Sequence, residues 1–213
     1  MDKYSRPILH GLNAVGQLIV LSMLWTVCCL PVVTIGASST ALYYTVVKVV
    51  RRDRGRVLSA FFTCFRENFW QSVSVNLCYL GIFAVLALAA LPRLLGGDIP
   101  YAVLGLTFLV LIPFAYSYPV LSRFYHKGGA LARFLLLLSG RYVYVGALCA
   151  ALLLGAAVLV LSNGASLLFV PGIYAYIQSL MLEPLFRRYS SQTDEDRFKV
   201  WYDSDGDHAD SDS

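Results

Sequence analysis

Charge is what this chain has least of. Its 213 residues carry 13 acids and 17 bases, 14 % in all, against 58 % hydrophobic residues, where water-soluble domains carry roughly 25 % charge. That scarcity excludes an ordinary soluble fold and points to a membrane protein. The residues of several chemistries are missing as well. Cys28, Cys29, Cys64, Cys78 and Cys149 form no C-x-x-C pair, so no zinc knuckle or dithiol centre is written here, and in lipid they read as small apolar fillers. His10, His126 and His208 fall in no H-x-x-x-H frame, which leaves metal catalysis without ligands. There is no G-x-S-x-G elbow and no G-x-x-x-x-G-K loop, so acyl transfer and ATP hydrolysis have nothing to run on. The expectation is a protein that is not an enzyme and that holds no cofactor or metal.

What the chain does have is long uncharged runs. They cover residues 7–47, 68–92, 99–122 and 142–182, which are 41, 25, 24 and 41 residues long. A helix rises about 1.5 Å per residue and a hydrocarbon core of about 30 Å needs about 20 residues. The two middle runs are therefore single crossings and the two outer runs double ones, six in all. Each 41-residue run needs a turn near its middle, and "LPVVTIG" (30–36) and "LSNGAS" (161–166) sit there. Proline removes a backbone donor and Asn-Gly favours left-handed turn geometry. The expected fold is all-α, a polytopic bundle of six membrane helices in three hairpins. A cleaved leader starting from "MDKYSR" is disfavoured, because the first apolar run is too long and further spans follow.

Orientation follows from Lys and Arg. With the N-terminus inside, sixteen bases face the cytoplasm and only Arg93 lies outside. Both termini are then cytoplasmic. The bases read as partners of an anionic leaflet, since a nucleic-acid groove is implausible in so apolar a chain. Two inner segments are more than connectors. "VLSAFFTCFRE" (57–67) places Val57, Phe61 and Phe65 at helical spacing beside Arg56 and Arg66, and "GGALARFLLLLSGR" (128–141) places Leu131, Leu135 and Leu138 likewise on one side, with Arg133 and Arg141 flanking. Both are expected to be cytoplasmic interfacial helices. Gly55, Leu58 and Phe61 recur 73 positions on as Gly128, Leu131 and Phe134, a weak hint of repetition.

"LPVVTIGASSTALYY" after a Trp-containing span, "FFTCFRENFWQS" opening the third span and "YPVLSRF" closing the fourth resemble the YesL-like family of bacterial integral membrane proteins, a domain of unknown function. The resemblance covers about residues 12–186 and implies a plasma-membrane protein. Members of that family are often encoded beside sugar ABC-transporter components, which implies a role around carbohydrate uptake and a permease or ATPase subunit as partner.

The candidate sites follow from these segments. Gly36, Ala37 and Thr40 begin a returning helix with little bulk and read as helix-packing residues; a re-entrant loop lining a permeation path is the alternative. Arg51, Arg52, Arg54, Phe61, Phe65, Arg123 and Arg133 are the candidate partner-docking residues, with Leu131 adding apolar contact. Glu183 is the one acid inside an apolar segment, either paired with Arg187 four residues on or serving a proton or substrate. Asn13, Gln17, Asn76 and Gln178 are expected to bond between helices. Residues 1–188 form the membrane domain. Residues 189–213 are acidic and poor in apolar groups, which predicts a disordered tail; its "DSDGD" has His208 where an EF-hand needs glycine. Two functions remain open: an accessory or scaffold protein of ABC-type carbohydrate uptake, or a small-solute transporter in its own right.

Overall fold

A computed structural model describes residues 5–51, 56–96, 101–123 and 129–193. These are helical almost throughout: α1 (Ser5–Cys28), α2 (Ile35–Thr45), α3 (Val57–Glu67), α4 (Phe69–Leu95), α5 (Tyr101–Arg123), α6 (Gly129–Arg141), α7 (Val143–Ser162) and α8 (Val170–Thr193). Short 3-10 turns at Val32–Thr34 and Gly164–Leu168 precede α2 and α8. The chain divides into two compact units, Met1–Ser179 and Leu180–Ser213. In the second, the described residues continue α8.

The breaks expected near Pro31 and Asn163 are present, but the second uses different chemistry. Asn163 is extended (φ −147°, ψ 106°), and its side chain accepts a hydrogen bond from the Ala165 amide at 3.2 Å. An asparagine cap on a 3-10 turn therefore replaces the left-handed Asn-Gly turn. Among the described residues four helical stretches are long and apolar enough to cross a membrane: Val32–Val50, Phe69–Pro92, Tyr101–Arg123 and Val143–Ser162. The apolar part described for α1, Asn13–Cys28, is shorter. Of the four windows, Val32–Val50 is 61 % buried, while those of α4 and α7 are 11 % and 22 % buried. The stretch containing α2 is thus central. On α4, Leu77, Leu80, Val85 and Leu88 are exposed, as are Leu148, Val158 and Leu159 on α7. Contiguous apolar surface on that scale is tolerated where lipid covers it.

The first unit contains a repeat. Helix α2 packs on α3 and α4 much as α5 packs on α6 and α7, and α2 meets α5 between the two triplets. The two amphipathic helices end just before Asn68 and Tyr142, 74 positions apart, and α4 and α7 begin just after them. Two backbone bonds at each break correspond, and the second break adds one from the Val145 amide to the Tyr142 carbonyl. The Asn68 amide donates to Cys64 and the Ser72 amide to Asn68; the Tyr142 amide donates to Leu138 and the Gly146 amide to Tyr142. Both break residues leave helical geometry, with φ −99° and −124°, so the chain turns from an amphipathic helix into a span at equivalent places. The buried faces also match at this spacing: Val57, Phe61 and Cys64 correspond to Leu131, Leu135 and Leu138, all buried except the partly buried Val57. The 73-residue spacing suggested by Gly55, Leu58 and Phe61 is therefore off by one. It pairs exposed Leu58 with buried Leu131, and one residue is about 100° of helix.

Helix α3 turns its apolar stripe inward. Phe61 and Cys64 sit in a cluster with Leu21 of α1, Ala41 and Leu42 of α2, Val46 and Ala175. Val57 and Phe65 pack against its edge. Outward face Leu58, Phe62 and Arg66.

Candidate functional site

Three arrangements carry the polar chemistry of the described residues. The first is the seam between α2 and α4. A Cβ added to Gly36 would lie 2.6 Å from the Ser72 carbonyl oxygen and 2.9 Å from the Asn76 Cβ, so glycine is what lets the two backbones meet. Ala37 and Thr40 are buried beside it. The Thr40 hydroxyl lies 3.1 Å from that of Ser72 and donates 2.9 Å to the Gly36 carbonyl. One turn on, Asn76 donates to the Val32 carbonyl at 3.1 Å and accepts from the Tyr118 hydroxyl of α5 at 3.0 Å. Tyr118 stacks edge-on against Phe114, which meets Tyr79 in the same way at 5.0 Å, and Ser117 donates to Tyr79 at 3.0 Å. Each hydroxyl and amide of this seam has a partner on another helix, which is what polar groups in an apolar bundle require.

The second arrangement answers the prolines. Pro119 has no amide hydrogen, so the Ala115 carbonyl one turn back loses its helical donor. Gln178 of α8, buried, donates its Nε2 to that carbonyl at 2.8 Å. Similarly, Gly172 near the start of α8 has an amide with no helical partner, and Ser22 of α1 accepts it at 2.9 Å. Asn76 and Gln178 thus bond between helices, whereas Asn13 and Gln17 line an outward groove. In the sequence the Pro119 and Gln178 pair shows only as Pro119 within one uncharged run and Gln178 within another, with nothing local to join them.

The third is the set of charged ends. Helix α2 continues as a π-helical segment, Val46–Val50, closed by the Arg51 amide on the Val46 carbonyl at 3.0 Å; such wide turns often sit at functional positions. Lys48 donates to the Tyr44 hydroxyl at 3.2 Å. Arg51 donates to the Ser179 carbonyl at 2.9 Å, so its guanidinium ties the end of α2 to α8. Arg123 is half-buried and Arg133 exposed, while Arg52 and Arg54 lie outside the described residues. Phe61 has no exposed surface and Leu131 almost none. Neither ring nor isobutyl group is available to a partner, because in a membrane protein an apolar stripe seats equally well in the bundle or against lipid. The apolar side chains α3 and α6 do expose are Leu58, Phe62, Leu136 and Leu137. Trp70 and Tyr144, 74 positions apart, are 79 % and 70 % exposed in the first turns of α4 and α7. Glu183, in the second unit, is 4 % exposed; its expected partner Arg187 has no described side chain. Burial pushes the Cys64 thiol up to about 12, against the weaker pull of Asn68, whose Nδ2 lies 3.5 Å from the sulfur. Among the described residues no three of His, Cys, Asp or Glu gather as metal ligands.

No curated protein and no solved structure matches the chain. Residues 18–89, running from α1 through most of α4, match the model of a family described as "Protein of unknown function, DUF624".

Proposed function

We propose that the chain is a YesL-like, six-span protein of the bacterial plasma membrane with both termini in the cytoplasm, acting as an accessory or scaffold protein of ABC-type carbohydrate uptake. The observation that carries the topology is the equivalence of Trp70 and Tyr144. Both are exposed aromatics where an amphipathic helix gives way to a span, Arg66 and Arg141 precede them within one turn, and aromatic residues of this kind collect at the headgroup level. Two crossings, α4 and α5, separate these places, which returns the chain to the same face, so α3 and α6 lie together on the basic, inner side. In this topology α1 and α8 supply the first and sixth spans and the helices form three hairpins. The accessory reading is supported by the seam interior, whose polar groups bond to one another.

The docking face is the outer side of α3 and α6: Leu58, Phe62, Leu136 and Leu137 with Arg66, Arg133 and Arg141. Its partner is a permease or ATPase subunit. Pull-down from host membranes should recover such a subunit with the wild type and lose it with Phe62→Ala, Arg133→Ala and Leu136→Ala combined. Unchanged recovery removes this face from consideration. Solute flux by the purified protein alone in liposomes overturns the accessory reading in favour of a transporter. A cysteine at Asn163 should react with an impermeant thiol reagent in intact cells while one at Ser59 does not; the reverse pattern sinks the topology.

A further inference from the structure

A cavity of about 610 Å³ opens between the middle of α1 and the start of α3, within the size range of small-ligand sites. From α1 it is lined by Asn13, Gly16, Gln17 and Val20, the stripe that i, i+3, i+4 and i+7 place on one helix face. From α3 come Arg56, Val57, Leu58 and Ser59. The lining holds one positive side chain and no acid. Asn13, Gln17, Arg56 and Ser59 supply donors of several geometries, Arg56 in a planar fork suited to phosphate. Arg56 is also the N-cap of α3, with no side-chain cap and no acid in the first turn. The first intrahelical bond runs from the Ala60 amide to the Arg56 carbonyl, so the amides of Val57, Leu58 and Ser59 have no helical acceptor. The cavity therefore collects positive charge and hydrogen-bond donors together.

Its other wall is apolar and continues along α1. Val20 in the lining is followed on the same stripe by Met23 and Val27, and all three are exposed. A soluble anion makes no use of such a track, whereas an acyl chain does. We infer that this groove binds one anionic glycerophospholipid, its phosphate held by Arg56, Gln17 and Asn13 and an acyl chain lying on the Val20, Met23 and Val27 stripe. The inference does not rest on the docking face proposed above: Leu58 belongs to both linings but is not varied, and Arg66 of that face enters only as the control.

The test uses the full chain purified in detergent. Native mass spectrometry and thermal unfolding are followed after adding phosphatidylglycerol, phosphatidylcholine or inorganic phosphate. Phosphatidylglycerol should be retained one per chain and raise the unfolding midpoint; the other two should do neither. Arg56→Gln should weaken retention about tenfold, the usual scale for a charge-assisted bond. Gly16 has nothing within 4 Å of its Cβ position, so Gly16→Leu folds while filling the groove, and should abolish retention. Arg66→Gln, on the outer face of α3, should retain lipid as the wild type does. Equal protection by phosphatidylcholine or inorganic phosphate overturns the inference, as does wild-type retention in both Arg56→Gln and Gly16→Leu.

Discussion

Replacing Gly36 with alanine tests whether the α2 and α4 seam is built on backbone contact. The new methyl would stand 2.6 Å from the Ser72 carbonyl oxygen, and real Cβ contacts essentially never fall below 3.0 Å. The obstacle is backbone, so no rotamer change relieves it and the helices must separate by at least about 0.4 Å, the difference of those two distances. Separation acts on bonds that already sit at 3.1 Å, Thr40 to Ser72 and Asn76 to Val32. Overpacking costs about 1–3 kcal/mol and a weakened buried hydrogen bond about 0.5–1.5 kcal/mol, which together give about 1.5–4.5 kcal/mol. The control is Gly155→Ala on α7, where nothing lies within 4 Å and alanine should be neutral or slightly stabilising. Unfolding of both variants in detergent, by heat or by added sodium dodecyl sulfate, gives the comparison. If the two differ by less than about 0.5 kcal/mol, within the scatter of surface substitutions, close backbone contact does not hold the seam.

The same measurement separates the two faces of α3: Phe61→Ala should cost about 3–5 kcal/mol and Phe62→Ala under about 1 kcal/mol, and a reversed order would mean the helix is turned the other way. Gln178→Leu leaves the Ala115 carbonyl without a donor and should cost about 1–3 kcal/mol, whereas Gln178→Glu, which cannot donate when ionised, should be no better; a neutral Leu variant refutes the proline-satisfying role. Cys64 is raised from its usual 9.0 to about 12, so the stability it carries as a neutral thiol is intact below pH 9.0 and falls as the pH climbs toward about 12, where the unfolded chain ionises first. Native protein at pH 9 should accordingly leave Cys64 unalkylated by iodoacetamide while denatured protein reacts, and rapid native labelling would contradict its burial.

How much of this was legible in the sequence depends on which physical signal was needed. Lys48 and Glu67 bound apolar runs whose lengths suffice to place helices, and Pro31 and Asn163 mark the breaks, because charge, a missing backbone donor and side-chain caps act locally. The direction of the α3 stripe was not legible. In water, Val57, Phe61 and Phe65 would have only the core to turn to; beside a bilayer, lipid competes on equal terms, and only the packing of Leu21, Ala41 and Val46 decides. The repeat was half legible. Leu131, Leu135 and Leu138 show a periodic helix, but equivalence to Val57, Phe61 and Cys64 rests on backbone bonds at Asn68 and Tyr142, two residues of unlike chemistry. Gly36 was readable as a close-approach residue from its small neighbours. Gln178 was readable only as a residue bonding between helices, since its acceptor is a carbonyl exposed by a proline 59 positions away.

The repeat makes a last comparison possible, because its two seams meet different obstacles at equivalent positions. Ser72 of α4 corresponds to Gly146 of α7, and Asn76 to Ala150. In the first seam the partner of the close contact is the Gly36 position and the obstacle backbone; in the second, a Cβ on Gly146 would meet the Ile112 Cγ2 and the Tyr116 Cε2, each at 2.6 Å. Side chains can move where a carbonyl cannot, so Gly146→Ala should cost less than Gly36→Ala. Yet Tyr116 is not free to swing, since its hydroxyl donates to the Tyr142 carbonyl at 2.8 Å, at the break before α7. Alanine at 146 therefore has to push the ring off that bond. Tyr116→Phe alone should cost about 1 kcal/mol for the lost bond. With the bond already gone, Gly146→Ala should cost less than it does in the wild type, giving a coupling of about 0.5–1.5 kcal/mol in a double-mutant cycle. Strict additivity of the two substitutions would show that the ring yields without disturbing Tyr142, and that the second seam is not tied to its break in this way.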